Sequence, residues 1–270
     1  MNGPLYVYLC YGRSPAAERE LRYSLETLQA EIGADPARVA VYADRALDLP
    51  VTCVDAAGLI REAIAGPYRH RVKPIVLADA LKRFGRPCVM LDLDSFIRPG
   101  FAADVSRALD QGAAMNFFVR RDPYPDLAAF ETELPHLGRY RLDHASAVML
   151  NSGLLAAAPA HLPLIEDAVA LIDALWRAGH RRHDLEQFAL AETLRLGGVA
   201  IALIEGSFEH YCARWARRYM RRKLRRRAPG ARVPYSKARV RLFKTYWTFR
   251  LAMRKARTLG LAKVKRWRTT

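Results

Sequence analysis

One short apolar segment of this chain ends abruptly in two carboxylates. Residues 87–94 read Pro-Cys-Val-Met-Leu-Asp-Leu-Asp, so Asp92 and Asp94 follow a run with the composition of a buried strand. Desolvating a carboxylate without a partner is costly, so the core of a strand has no reason to hold two of them. Paired acids are expected at the carboxyl edge of a parallel sheet, where α/β proteins bind their ligands. The segment therefore predicts an α/β fold in which Asp92 and Asp94 bind a divalent cation and, through it, a diphosphate.

The rest of the first 210 residues alternates between strand and helix patterns. Further strands are predicted over residues 5–10, 39–42, 113–119, 145–150 and 199–204, and helices over 16–32, 72–84, 101–111, 164–178 and 184–196. This alternation predicts a Rossmann-type, mostly parallel sheet flanked by helices on both faces. Residues 120–140 are rich in proline and charge, and we expect an irregular excursion there over the active face.

Charge divides the chain near its last quarter. The net charge is +17, yet residues 1–210 hold 22 Lys and Arg against 27 Asp and Glu, whereas residues 211–270 hold 22 Lys and Arg and no acid. The 270 residues, of which 51% are hydrophobic, suffice for one large domain and an appendage. We therefore expect a domain over residues 1–211 and a basic, helical C-terminal extension over residues 212–270.

The order of the elements and the acidic motif resemble the GT-A nucleotide-sugar glycosyltransferases, and among them the metal-dependent, family 8-like group. The resemblance covers residues 5–211 and is most specific over residues 89–96, Val-Met-Leu-Asp-Leu-Asp-Ser-Phe, which look like that family's strand, DxD motif and turn. It implies transfer of a sugar from a nucleotide-diphosphate sugar, a UDP-sugar foremost, to a glycan or lipid-linked acceptor. It also implies Mn²⁺ or Mg²⁺ on Asp94 and Asp92, where the ion acts as a Lewis acid for the departing diphosphate. Asp94 is the first choice for direct coordination, and Asp92 alternatively contacts the ribose, or the metal through water.

His210 is the predicted third metal ligand. It follows the last strand in residues 208–211, Phe-Glu-His-Tyr, and resembles the histidine that some GT-A enzymes place late in the chain. A neutral imidazole is a suitable ligand beside carboxylates, although a partly buried histidine at a strand end is the alternative. The family's usual Gly-x-x-Lys-Pro-Trp continuation is missing, because residues 212–215 read Cys-Ala-Arg-Trp.

Three further places are predicted to bind the donor. Asn151, Ser152 and Gly153 look like the family's Asn-x-Gly loop under the donor sugar, with an ordinary strand-end turn as the alternative. Upstream of the acidic strand, a cation of Arg71 or Lys73 is expected to reach the diphosphate or the sugar, unless both are solvated.

The third predicted donor-binding place comes directly after the first two strands in the sequence. Tyr11 and Gly12 follow the first strand and Asp44 follows the second, which are the positions where a nucleobase would be held.

The predicted catalytic residues are Asp184, Glu186 and Gln187. Residues 184–190, Asp-Leu-Glu-Gln-Phe-Ala-Leu, resemble the family's acidic-Gln helix start, which presents an acid or an amide to the reacting carbon. An inverting enzyme would use one of the two carboxylates as a general base, whereas a retaining one would not. Asp184 is also a candidate N-cap, with Gln187 completing a capping box.

The basic extension predicts an interfacial helix. Six apolar residues share or widen one helical face, namely Val240, Phe243, Tyr246, Trp247, Phe249 and Leu251. With lysine and arginine on the other side, this pattern indicates binding to an anionic membrane surface. Nucleic acid is the less favoured partner of such a polycation.

Other sequence features bear on location and on alternative functions. The cysteines show no CxxC spacing and are expected to be buried free thiols, and no secretory leader or membrane span is predicted. We therefore expect a cytoplasmic protein, peripherally bound to the inner face of the membrane. A haloacid dehalogenase-type phosphatase also carries Asp-x-Asp after a strand, but Phe96 stands where that family has Thr or Val. The remaining alternative is an inert α/β domain with a nucleic-acid-binding tail.

Overall fold

The computed structural model describes residues 3–66, 68–121, 124 and 130–258 and divides the chain into two compact units. We name Met1–His210 the body and Tyr211–Thr270 the basic unit. The strands are β1 (Leu5–Cys10), β2 (Val39–Ala43), β3 (Thr52–Asp55), β4 (Cys88–Leu91), β5 (Ser95–Ile97), β6 (Ala113–Met115), β7 (Phe118–Arg121), β8 (Glu131–Leu134), β9 (Gly138–Arg141), β10 (Val148–Leu150), β11 (Leu154–Ala157), β12 (Ile201–Leu203) and β13 (Phe208–His210). The helices are α1 (Pro15–Ile32), α2 (Ala57–Ala65), α3 (Val72–Phe84), α4 (Phe101–Gln111), α5 (Leu162–Arg177), α6 (Leu185–Leu196), α7 (Arg214–Leu224) and α8 (Lys237–Thr258).

The body is built on a central sheet with the strand order β12-β6-β11-β4-β1-β2-β3. The pairs β4–β1, β1–β2, β2–β3 and β12–β6 are parallel, whereas β11 is antiparallel to both β4 and β6. Strand β11 is therefore the one reversed strand of this sheet, and the predicted mostly parallel sheet is confirmed. Most predicted helices also lie within a few residues of their expected bounds.

The inner strands of the sheet are buried on both faces, which explains why they read as continuous apolar runs, whereas the edge strands β3 and β12 are largely exposed or half-buried. Leu5 and Val7 of β1 belong to the core that includes residues of α2, α3, α5 and α6. Tyr6 and Tyr8 of the same strand belong to a second core, which includes residues of α1 and α4. The predicted layers of helices on both faces are therefore confirmed.

Helix α1 illustrates how local sequence sets an element of this fold. The Ser14 side chain accepts a hydrogen bond from the backbone N–H of Ala17, and Pro15 occupies the first turn. The helix ends at Gly33, whose φ of 83° is readily adopted only by glycine. The predicted helix over residues 16–32, closed by Gly33, is confirmed.

Several predicted boundaries are wrong. Residues 113–119 are not one strand, because β6 ends at Met115 and β7 pairs with β10 in a separate sheet. Within the predicted irregular excursion, β8 and β9 form an antiparallel hairpin, while residues 122–123 and 125–129 lie outside the described part of the chain. Strand β11 was not predicted. Its four residues, Leu-Leu-Ala-Ala, directly follow the Asn-Ser-Gly turn and show no alternation of apolar and polar residues that would distinguish a strand from a loop.

The four cysteines are free, as expected, but only Cys10 and Cys88 are buried. Cys53 and Cys212 are exposed, so the prediction of buried thiols is wrong for them. Within the described residues, no helix combines the length and the apolar character needed to cross a bilayer.

The basic unit contains α7 and α8, which pack through aromatic side chains. The ring centroid of Phe243 in α8 lies 6.4 Å from that of Trp215 and 5.5 Å from that of Tyr219, both in α7. The helical extension was predicted over residues 212–270, and the structure describes it only as far as Thr258.

Candidate metal and donor site

Asp92, Asp94 and His210 meet at the carboxyl end of β4. Each offers one ligand atom, and these atoms lie within 4.8 Å of one another. Nε2 of His210 lies 3.4 Å from a carboxylate oxygen of Asp92 and 3.5 Å from one of Asp94. The topology accounts for this meeting, because the pairing of β13 with β5 places His210 opposite Ser95, directly after Asp94.

The donor atoms of this cluster suit a divalent cation. Two carboxylates and one imidazole are ligands that Mn²⁺ accepts, and the carboxylates also suit Mg²⁺. Oδ1 of Asn151 accepts a hydrogen bond from the backbone N–H of Gly153 and lies 2.8 Å from Nδ1 of His210. Nδ1 of His210 must therefore be the protonated nitrogen, which leaves Nε2 to face the two carboxylates.

Gly153 makes room for the imidazole. A Cβ at this position would lie 2.2 Å from Nδ1 of His210, so any other residue would displace the ring. The reversed strand β11 brings this glycine to the cluster, because the backbone N–H of Asp92 donates to the carbonyl of Gly153 at 2.9 Å. The spatial relation of Asn151 and Gly153 to the acidic motif thus depends on the strand that the sequence did not predict.

Lys73 lies beside the cluster, whereas Arg71 is held elsewhere. Nζ of Lys73 lies 2.7 Å from Oδ1 of Asp92 and donates to the carbonyl and hydroxyl of Ser152 at 3.1 and 3.2 Å. Burial alone lowers the pKa of Lys73, but the neighbouring carboxylates, Asp92 foremost, raise it above its ordinary value. The guanidinium of Arg71 pairs with Asp173 at 2.5 Å.

Glu186 is a buried carboxylate with a donor on each oxygen. The hydroxyl of Ser152 donates to Oε1 at 3.1 Å, and the hydroxyl of Tyr68 donates to Oε2 at 2.6 Å. Burial, followed by the charge of Glu186, raises the pKa of Tyr68, which therefore keeps its proton. Polar contacts thus run without interruption from Asp92 through Lys73, Ser152 and Glu186 to Tyr68.

Gln187 ties the Asn-x-Gly loop to α6. Its Oε1 accepts from Nδ2 of Asn151 at 2.9 Å and from the backbone N–H of Ser152 at 3.4 Å. Nδ2 of Asn116 donates to Oδ1 of Asn151 at 3.3 Å. Sequence reasoning missed Asn116, because it lies inside the strand predicted over residues 113–119, and only the end of β6 at Met115 places it directly after a strand.

Asp184 is held apart from this network. Its carboxylate accepts hydrogen bonds from Arg120 at 3.0 Å, Tyr124 at 3.0 Å and Arg182 at 3.3 Å. Asp184 does occupy the N-cap of α6, but its side chain makes no capping hydrogen bond. The predicted capping box with Gln187 is therefore wrong, because the carboxylate is engaged by the neighbouring Arg182 and by Arg120 and Tyr124 from a distant segment.

The residues predicted to hold the nucleobase follow the carboxyl ends of β1 and β2, at the same edge of the sheet. The backbone N–H of Gly12 donates to Asp44 at 2.8 Å, and Arg45 donates to both the carbonyl of Gly12 and the carboxylate of Asp44. Tyr11 is partly buried, and burial raises its pKa, with the charges of Arg69 and Lys73 opposing that rise. The structure thus couples Gly12 to Asp44 and leaves Tyr11 outside that contact.

Comparison with known proteins concerns the fold. No protein-family model matches the chain, and no curated protein matches its sequence. The galactosyltransferase LgtC, solved in complex with donor and acceptor sugar analogs, is 13% identical, with 82% of this chain and 92% of that chain covered and a TM-score of 0.53. A glycosyltransferase involved in glycosylation of the major capsid of PBCV-1 is 12% identical, with 83% and 100% covered and a TM-score of 0.47. Mouse xyloside xylosyltransferase 1 is 11% identical, with 75% and 85% covered and a TM-score of 0.43.

The similarity to LgtC defines the class of fold. The chain has the GT-A fold, and the solved structures it is similar to include glycosyltransferases, which are enzymes. The GT-A fold predicted from the acidic motif and the order of elements is therefore confirmed.

Proposed function

We propose that the body is a metal-dependent glycosyltransferase that moves a sugar from a nucleotide-diphosphate sugar, foremost a UDP-sugar, to a glycan or lipid-linked acceptor. The observation that carries the proposal is the meeting of Asp92, Asp94 and His210 at the carboxyl edge of a GT-A sheet. The donor and acceptor analogs bound by LgtC support both substrates. A lipid-linked acceptor would belong to the synthesis of a cell-surface polysaccharide or lipopolysaccharide.

The charged residues of the cluster would stabilise the leaving group. Asp92, Asp94 and His210 would hold Mn²⁺ or Mg²⁺, which neutralises the charge that develops on a departing diphosphate. Lys73, protonated beside Asp92, adds a fixed positive charge at the same place.

The residues around Glu186 would orient the transferred sugar. Donors on both of its carboxylate oxygens fix the orientation of Glu186, and the contacts of Gln187 fix the loop formed by Asn151 and Ser152. Such groups bind sugar hydroxyls and hold the reacting carbon in place. In this proposal Glu186 and Gln187 act on the sugar.

The other predicted residues take supporting roles. Asp184, whose carboxylate already accepts from Arg120, Tyr124 and Arg182, would hold these residues in place, and Glu186 would be the acid that faces the sugar. The nucleoside would lie at the carboxyl ends of β1 and β2, in contact with Tyr11, Gly12 and Asp44. Arg71, already paired with Asp173, leaves the contact with the donor to Lys73.

The basic unit would hold the enzyme at the cytoplasmic face of a membrane. Residues 211–270 contain 22 Lys and Arg and no Asp or Glu. Each cation near an anionic leaflet contributes about 1 kcal/mol, so a fraction of this number suffices for peripheral binding. A lipid-linked acceptor would lie at that same surface.

The test is release of nucleoside diphosphate from a panel of nucleotide sugars, with and without Mn²⁺. We expect slow, metal-dependent release from at least one donor by the wild-type chain. Loss of this activity in Asp94→Asn, but not in Asp110→Asn at an exposed position of α4, would support the cluster. Calorimetry that finds neither metal nor nucleotide uptake would contradict the proposal. Metal-dependent phosphate release from a monoester would instead favour the phosphatase.

A further inference from the structure

Helix α8 carries apolar side chains on two sides, and the basic unit already uses one of them. Phe243 packs against α7, and Trp247 lies beneath the guanidiniums of Arg218 and Arg222, at 5.0 and 5.3 Å from the ring centroid. Both aromatic side chains are half-buried. Two of the six residues of the predicted membrane face, Phe243 and Trp247, are therefore engaged by contacts within the unit, whereas Tyr246 and Phe249, which widen that face, are exposed.

The second side of α8 is exposed. Leu242, Tyr246 and Phe249 are 72%, 53% and 64% exposed, and their spacing of i, i+4 and i+7 places them in one row. We name this row the α8 stripe. Arg239, exposed as well, lies near one margin of the row by helical spacing.

We propose that the α8 stripe enters the headgroup region of an anionic bilayer. This inference rests on the membrane association proposed above and specifies the surface that makes it. An exposed apolar row beside arginine and lysine is the pattern of helices that lie in a bilayer interface. Charge decides among the possible occupants, because residues 211–270 carry 22 basic residues and no acidic one.

Two other occupants fit this surface less well. A second copy of the basic unit would bring two cationic surfaces together, which is repulsive. Duplex nucleic acid would attract the cations but bind through its phosphates, which would leave Leu242 and Phe249 in water. An anionic bilayer satisfies both the cations and the apolar row.

The experiment measures binding of the full-length protein to phosphatidylcholine vesicles with and without phosphatidylglycerol. We expect binding that requires the anionic lipid. In the variant carrying Leu242→Ser, Tyr246→Ser and Phe249→Ser, the partition coefficient should fall by about tenfold or more, because the apolar area is lost while every charge remains. Circular dichroism checks that α8 still forms.

A matched pair of single substitutions isolates the row. Leu251 is 45% exposed but lies on the side of α8 that bears Phe243 and Trp247, so Leu251→Ser should weaken binding less than Leu242→Ser in the α8 stripe. Equal binding by wild type and the triple variant would overturn the stripe but not the membrane association. Wild-type protein that ignores anionic vesicles yet binds a duplex oligonucleotide would overturn both, while the proposed sugar transfer would stand.

Discussion

The body and the basic unit use charge in opposite ways. In the body, the charges of the candidate site are partly or fully buried and have defined partners, as in the contacts of Lys73 with Asp92 and of Glu186 with Tyr68. In the basic unit, charges of a single sign lie largely exposed. Partnered groups in fixed positions can select one ligand geometry, whereas exposed charges of one sign attract an anionic surface with little selectivity. Substitutions in the body should therefore change chemistry, and changes in the basic unit should change location.

The largest effect is expected from Asp94→Ala. Removing a carboxylate from the cluster should lower metal-dependent transfer by about a hundredfold or more, because the charge on the leaving diphosphate is no longer neutralised. Vesicle binding should not change, since Asp94 lies in the body. Transfer assays and vesicle sedimentation on the same preparation test these two expectations. Full transfer activity in this variant would rule out the metal site.

Gly153→Ala should be the next most damaging change. The new Cβ would meet Nδ1 of His210, and the displaced ring should lower Mn²⁺ affinity by about tenfold to a hundredfold. Gly206→Ala is the control, because a Cβ there meets no atom within 4 Å. Titration calorimetry with Mn²⁺ measures the difference. Equal affinities in the two variants would show that His210 is not a ligand.

Tyr68→Phe should act at the sugar instead of the metal. Without the phenol, Oε2 of the buried Glu186 loses its donor, and we expect kcat to fall about tenfold while Mn²⁺ affinity is unchanged. Tyr140→Phe is a matched control, because Tyr140 bonds the buried Glu192 at 3.4 Å, a carboxylate outside the polar network that joins Asp92 to Tyr68.

Thermal denaturation of the two variants should show stability losses of about 1–3 kcal/mol each. Only Tyr68→Phe should lose activity. An equal fall of kcat in both variants would assign Tyr68 a purely structural role.

Ionic strength should affect the two units differently, and its effect on catalysis should be the smallest of the predicted effects. Raising ionic strength from 0.05 to 0.5 M shortens the Debye length to below about 5 Å, so binding to anionic vesicles should fall steeply. Hydrolysis of a soluble nucleotide sugar should change by about twofold at most, because the charges of the cluster act at contact distance. Vesicle binding that is insensitive to salt would show that the cations of the basic unit do not drive it.

Individual residues show how far sequence reasoning reached into the site. Asp92 and Asp94 were singled out because two acids follow an apolar strand pattern, whereas His210 was predicted from the resemblance to GT-A enzymes that place a histidine late in the chain. The structure brings the three side chains together. Tyr68 was missed because its partner Glu186 lies 118 positions further along the chain, and no local pattern connects them.

Helix α8 shows a second reason for failure. Its amphipathic pattern predicted the helix correctly, but spacing alone cannot state which apolar side packs against α7. The predicted membrane face included Phe243 and Trp247, which are half-buried by contacts within the unit. It did not include Leu242, which is the most exposed residue of the α8 stripe.

By itself, the sequence determined the alternation of strands and helices, the acid pair at a strand end and the concentration of cations after residue 210, because these depend on residues close together in the chain. Tertiary structure alone decided that β11 lies antiparallel to β4, that Tyr68 donates to Glu186 and that Arg120 and Tyr124 bind Asp184. Those contacts join distant segments, and which of the competing partners a buried polar group finds depends on how the sheets and helices pack.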